Sequence, residues 1–208
     1  MKTVNLKKMV SLKSLILAAL VIVSMAFVSC EKENDDYIPQ SEFSDDSMLK
    51  AGNSLPPGDA SIAAIAIDAG FSELVGALFY VDEELETGLV DMFLNGTDQY
   101  TVFAPTNDAF MALYDALEVE GISDLPADLV LNVLLYHVTD GRRAANSVVP
   151  KKNPKTIETL LEGATFNVDK DLKIWAVGNT ANLVPGFVNI SASNGIIHVI
   201  DAVILPIE

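Results

Sequence analysis

Tyr100-Thr101-Val102-Phe103-Ala104-Pro105-Thr106-Asn107-Asp108-Ala109-Phe110 joins two opposed local preferences within eleven residues. Its first part is β-branched and aromatic, which predicts a short strand, and Pro105 cannot extend a ladder because it has no N–H to donate. Thr106, Asn107 or Asp108 can then accept from the free amides of a first helical turn. Beyond them Ala109, Phe110, Leu113, Tyr114 and Leu117 recur at helical spacing and form one apolar stripe. The stretch is thus a strand that turns into a helix, each with one face to bury.

Upstream, the helical period continues. Asp59 or Ser61 can cap a helix carrying Ile62, Ile65, Ala66 and Ala69 that ends at Gly70. A second helix is expected after Ser72 with Leu74, Val75, Leu78 and Phe79 on one face. A third runs through Leu85, Leu89, Val90 and Phe93 and ends at Asn95-Gly96, where glycine can take the left-handed conformation. Downstream, Pro126 opens a helix over 128–136 with Leu129, Val133 and Tyr136 at its spacing.

Past about residue 156 the period changes to that of strands. Thr165–Val168, Leu172–Val177, Leu183–Ile190 and Ile196–Leu205 read as strands. Asp169-Lys170-Asp171, Gly178-Asn179 and Ser193-Asn194-Gly195 read as the turns between them, which favours antiparallel hairpins. Ile196 to Ile200 is apolar on both faces, as a strand covered on both sides would be. The expected fold class is α+β, a single domain with helices mostly first and a sheet mostly last.

Three blocks in order resemble the fasciclin-domain family: residues 101–110, Leu134-Leu135-Tyr136-His137-Val138, and residues 193–206 from Ser193-Asn194-Gly195 to Pro206. Together they span roughly residues 58–206. The resemblance implies a β-sandwich or wedge flanked by several helices, and a role in adhesion or extracellular protein binding. It also implies a partner-binding set made of the Tyr-His element and an Asp-Ile pair. Tyr136, His137 and Ile190 match that set, but Asn189 stands where the family has Asp. Read from the residues alone, Tyr136 is a core aromatic with its hydroxyl tied off, and His137 bonds backbone where a helix passes into a strand.

The amino-terminal end points to where the domain works. Lys2, Lys7, Lys8 and Lys13 precede the apolar run Leu15–Val28, and Ser29-Cys30 follows it. This resembles a bacterial lipoprotein signal, with residues 1–29 removed and Cys30 carrying diacylglycerol and an acylated amino terminus. One chain anchors marginally at roughly 0.8 kcal/mol per buried CH₂, and two or three anchor stably. The other reading is an uncleaved signal anchor, for which an apolar run of this length almost suffices. Cys30 is the sole cysteine, so an intrachain disulfide is excluded.

Residues 30–57 then read as an acidic tether, with apolar residues too scattered to pack, reaching about 30 Å as a flexible coil. Residues 58–208 form the domain. Within the tether, Glu31-Lys32-Glu33 and Asp35-Asp36 resemble the export signal of Bacteroidetes outer-membrane lipoproteins. Asp46-Ser47-Met48 resembles an O-glycosylation site at Ser47. An ordinary hydrophilic linker accounts for both equally well.

Without the signal, nine basic residues face 29 acidic ones, a formal charge of −20. Such a surface repels phosphate backbones, so nucleic acid is not an expected partner. No His/Cys cluster has metal-ligand spacing, and the acidic pairs Asp35-Asp36, Asp45-Asp46 and Glu83-Glu84 lack the loop of an EF-hand. No metal or cofactor is expected. An enzyme would have to recruit Ser191 or Ser193 with His198 and Asp201, yet alternate strand residues point to opposite faces, so non-catalytic binding is expected instead. A glycan-binding accessory role would draw on Trp175, Tyr100, Tyr114 and Phe187, although Trp175 in mid-strand reads as half-buried packing.

Overall fold

The computed structural model describes residues 56–207. Six α-helices, α1 (Ile62–Asp68), α2 (Ser72–Leu85), α3 (Leu89–Leu94), α4 (Asn107–Leu117), α5 (Ala127–Tyr136) and α6 (Ala145–Val148), and a 3-10 turn at Ile122–Asp124 accompany eight strands among these residues. The strands are β1 (Tyr100–Pro105), β2 (Val138–Asp140), β3 (Lys155–Glu158), β4 (Thr165–Val168), β5 (Lys173–Trp175), β6 (Thr180–Asn182), β7 (Ile190–Ala192) and β8 (Gly195–Ile200). They form two four-stranded sheets in the orders β2-β1-β8-β7 and β3-β4-β5-β6. The α+β class expected from the sequence is what is found, as one domain.

The layers follow from side-chain alternation. On β1 and β8, Val102, Ala104 and Ile197 pack against α1 to α5, while Phe103 and Ile200 face the second sheet. Both strands are therefore covered on both sides, and every residue of β8 is buried. The second sheet supplies Ile157, Phe166, Val168, Ile174 and Ala181 to the inner core. Tyr136, the last residue of α5, reaches into that core, where Phe166 meets both Phe103 and Tyr136 edge-to-face at 5.0 and 5.8 Å.

Several local expectations hold. Ser61 caps α1 and Thr106 caps α4, each accepting from the amide three residues on. The three hairpin turns join β4 to β5, β5 to β6 and β7 to β8, all antiparallel.

Others are corrected. Leu85 ends α2 rather than opening α3, because Glu86 turns left-handed at φ 52°. Asp82 then reaches back over the break: its carboxylate accepts from Leu89 and Val90 amides at 2.9 Å each, and from Thr87. Burial pushes that carboxyl up, but the Thr87 hydroxyl and the two amides outweigh it and hold Asp82 below the usual range. Phe79 lies outside the buried stripe of α2 and is 54% exposed. Gly96 is required by space rather than by a left-handed turn, since a Cβ there would stand 2.2 Å from the Met92 carbonyl oxygen. The long strand expected over 183–190 breaks at Pro185-Gly186, with Gly186 at φ 83°, leaving one bridge from Leu183 to Ile200. The final strand stops at Ile200, and β2, α6 and β3 are elements that the sequence periodicity does not indicate.

Asn194 fastens helices to sheet. Its Oδ1 accepts from the Ile62 amide at 2.8 Å, where α1 starts, and its Nδ2 donates to Phe93 O at 3.0 Å, where α3 ends. Next to it, a Cβ on Gly195 would stand 2.1 Å from Tyr100 O, so only glycine admits the close approach of β8 to β1. Asn194→Ala leaves a buried donor and a buried acceptor unpaired and is expected to lower unfolding free energy by on the order of 3 kcal/mol. Urea denaturation checks this, with exposed Asn95→Ala changing it by less than about 0.5 kcal/mol.

Candidate functional site

The Tyr-His element sits where α5 hands over to β2. Tyr136 is fully buried and its hydroxyl donates to Thr165 O at 2.8 Å. Burial pushes its phenol up. His137 caps the carboxyl end of α5, and its own carbonyl accepts from Phe103 N of β1 at 2.9 Å. Its imidazole is buried between backbone groups: Nδ1–H donates to Val133 O at 2.6 Å, and Nε2 accepts from Ile204 N at 3.0 Å. A carbonyl can only accept and an amide can only donate, so the ring is held neutral in one tautomer.

A second histidine repeats this device in the opposite tautomer. His198 lies opposite Phe103 in the β1–β8 register, with its ring 5.6 Å from the phenylalanine. Nε2–H donates to Arg143 O at 2.9 Å and Nδ1 accepts from Asn189 N at 3.2 Å. Asn189 adopts φ 63° and is 7% exposed; its Oδ1 accepts from Ala145 N at 2.6 Å and so caps α6. An amide oxygen does this without placing a charge in the core. The residues picked out by the resemblance are therefore brought together, through Phe103 and His198, but as an internal network. Tyr136, His137 and Asn189 face inward, and Ile190 alone of the four is half-exposed.

No sequence motif singles out Arg142. Its guanidinium donates to Ala192 O at 2.8 Å and Pro56 O at 2.9 Å, and also to Gly195 O and the Ser191 hydroxyl. It holds the β7–β8 turn against the incoming chain. Burial pushes it down. Arg142 and Arg143 are the only arginines in the chain, an adjacent pair within a strongly acidic sequence, and that was the available signal.

The serine–histidine–aspartate grouping is not assembled. His198 is occupied by Arg143 and Asn189, Asp201 accepts from Asn182 N at 2.7 Å and Nδ2 at 2.8 Å, and Ser191 bonds Pro56 O. Among the described residues no group of three His, Cys, Asp or Glu is placed to hold a metal ion. Of the aromatics considered for sugar stacking, Tyr114 is buried and donates to Glu73 at 2.9 Å, whereas Trp175 and Phe187 are 48% and 58% exposed. The half-buried packing expected for Trp175 is thus corrected: it stands on the outer face of its sheet. Cys30 and Ser47 lie outside the described residues, as do the pairs Asp35-Asp36 and Asp45-Asp46. No helix among the described residues is long and apolar enough to cross a membrane.

Burial lowers both imidazoles from 6.5 to about 4, against smaller opposing bonds to Val133 O and Arg143 O. The folded values lie below the unfolded one, so the unfolded chain binds protons first as pH falls. The stabilisation is complete above pH 6.5 and is lost between pH 6.5 and 4. These are the only two histidines. Near pH 5.5 unfolding is expected to take up about two protons, a stability slope of roughly 2.5 kcal/mol per pH unit. Urea titrations at pH 5 to 7 measure it, and a flat profile would contradict buried neutral imidazoles.

Comparison with known proteins gives a consistent picture. The fasciclin-domain profile matches residues 70–206. Protein sll1483 of a Synechocystis species is 39% identical over 153 residues, covering 71% of this chain and 76% of that protein. Cell surface glycolipoprotein MPB83 of Mycobacterium bovis is 37% identical over 126 residues, covering 58% of this chain; the matched part is about half, 49%, of that protein's length. A solved FAS1 domain pair from the insect cell adhesion molecule Fasciclin I aligns at TM-score 0.44 and 17% identity, over 64% of this chain and 45% of that one.

Proposed function

The chain belongs to the fasciclin-domain family, and from that premise we propose that it is an envelope lipoprotein whose one domain acts by binding, in adhesion or capture of an extracellular protein, without catalysis. The observation that carries the reading is the state of the two imidazoles. Both are buried and neutral, and both nitrogens of each ring are taken up by backbone groups. The polar groups of the interior hold the layers together, and what remains for function is the surface. Tyr136, His137 and Asn189 then support a binding surface from beneath it, and of that set Ile190 is the residue that reaches solvent.

In the same proposal Cys30 is the acylated residue, residues 1–29 are the signal, and residues 30–57 carry the domain away from the membrane. A relative named as a cell surface glycolipoprotein supports display from a lipid anchor. Glu31-Lys32-Glu33 behind the anchor favours the outer leaflet of an outer membrane, and Ser47 is the residue proposed to carry an O-linked glycan.

Antibody labelling and protease accessibility of intact cells, wild type beside Cys30→Ala, test this. Labelling of intact wild-type cells that is lost from the variant, with the variant protein released into soluble fractions, is the expected result. Protection until lysis would leave a periplasm-facing protein and overturn outward display.

A further inference from the structure

The outer face of the β3–β6 sheet carries one unbroken cross-strand row. Thr156 pairs with Asn167, Asn167 with Trp175 and Trp175 with Thr180, and all four are exposed. The indole at its centre is held, not loose. Its Nε1–H donates to Asp169 Oδ2 at 2.9 Å, and that carboxylate is itself fixed by the Asp171 and Lys173 amides at 2.8 and 3.1 Å. Lys173 places its ammonium 4.3 Å from the ring centroid. With one ring face under Lys173 and its polar edge bonded, the indole is still 48% exposed. An aromatic of this size left to water, with its rotamer fixed from two sides, is preorganised for a flat partner.

Charge limits what that partner is. Residues 56–141, which include α1 to α5, carry sixteen Asp and Glu and no Lys or Arg, whereas residues 142–207 carry seven basic and five acidic residues. The row itself is uncharged: Asp169 and Lys173 are engaged by the indole, Lys170 is paired with Asp171, and Glu158, two residues from Thr156 on the same strand face, adds a negative charge beside it. An acidic polymer or anionic headgroup finds no unengaged cation on the row and is repelled by the helical half of the domain, to which a cationic partner is drawn instead. A neutral, hydroxyl-rich ligand fits what is left. The positive C–H face of a pyranose ring complements the negative face of an indole; beside it the Thr156 hydroxyl donates to Asn167 Oδ1 at 2.8 Å, which turns the Asn167 amide N–H groups toward donation and leaves the Thr156 oxygen to accept. Four strands at about 4.8 Å spacing reach roughly 14 Å, which suits an oligosaccharide better than a single sugar.

We infer that this face binds a neutral pyranose glycan, with Trp175 stacking on one ring and Asn167, Thr156 and Thr180 bonding hydroxyls along the row. The inference rests on the reading of the domain as a non-catalytic binding module but not on its anchor, so failure of surface display leaves it standing.

The test uses the full chain in a sugar-free polyoxyethylene detergent. It is run through native gels containing galactomannan, xyloglucan or mixed-linkage β-glucan, with alginate as the acidic control. Tryptophan fluorescence is recorded with the matching neutral hexasaccharides, and because Trp175 is the sole tryptophan the signal reports this face alone. Retardation by at least one neutral polymer is expected, with a blue shift, at least tenfold weaker binding in Trp175→Ala, and intermediate binding in Trp175→Phe. Far-UV circular dichroism of the variants checks that the exposed substitution leaves the fold intact. No retardation by any neutral polymer, equal retardation of Trp175→Ala, retardation by alginate alone, or a fluorescence shift driven only by protein concentration, as in self-association, each overturns the inference.

Discussion

The parallel ladder between β1 and β8 is the contact on which the rest of the domain depends. It pairs Tyr100 with Gly195 and continues in register to Pro105 with Ile200, joining chain segments nearly a hundred residues apart. Both strands then have two faces to bury. One is covered by five helices that precede or follow β1 in the chain, the other by a second sheet formed entirely between α6 and β7. Gly195 allows the strands to approach and Asn194 ties α1 and α3 to the same turn, so the register, the helical layer and the turn are set by two adjacent residues. Non-local pairing of this kind must overcome loop-closure entropy before it gains anything, which makes apolar burial on both faces its main compensation.

Inside that frame, polar side chains serve as connectors. His137 links the end of α5 to the segment after β8, and His198 links β8 to the segments leading into α6 and β7. Each imidazole bridges one carbonyl and one amide that would otherwise be unpaired in the core. Such use is stabilising only while the ring is neutral, and it removes both histidines from the surface. On the proposed binding reading, function falls to exposed features such as the outer face around Trp175.

Much of this was legible in sequence where local chemistry decides structure. Thr106 and Ser61 caps, the Asp-Lys-Asp and Asn-Gly turns, and the two-sided burial of residues 196–200 follow from short-range rules. The parallel pairing did not follow, because nothing local to Tyr100–Pro105 names its partner strand. Breaks inside apolar runs were also missed. Leu183 to Ile190 reads as a strand by side chain, yet Pro185-Gly186 and left-handed Asn189 interrupt it. Exposure of Trp175 does not follow from the sequence, because strand alternation gives two faces without saying which one meets the core; Ile174, its neighbour, is the buried one. Arg142 bonds carbonyls of two distant segments, the β7–β8 turn and the chain at Pro56, a role that only the tertiary fold creates.

The central claim, that the Tyr-His element and its companion histidine act from inside the domain, is tested most directly by long-range ¹H–¹⁵N correlation of the imidazole nitrogens. Two fixed and different tautomers are predicted at pH 7, protonated at Nδ1 in His137 and at Nε2 in His198, with both rings still neutral at pH 5.5. Averaged tautomers titrating near 6.5, as for imidazoles in water, would contradict it.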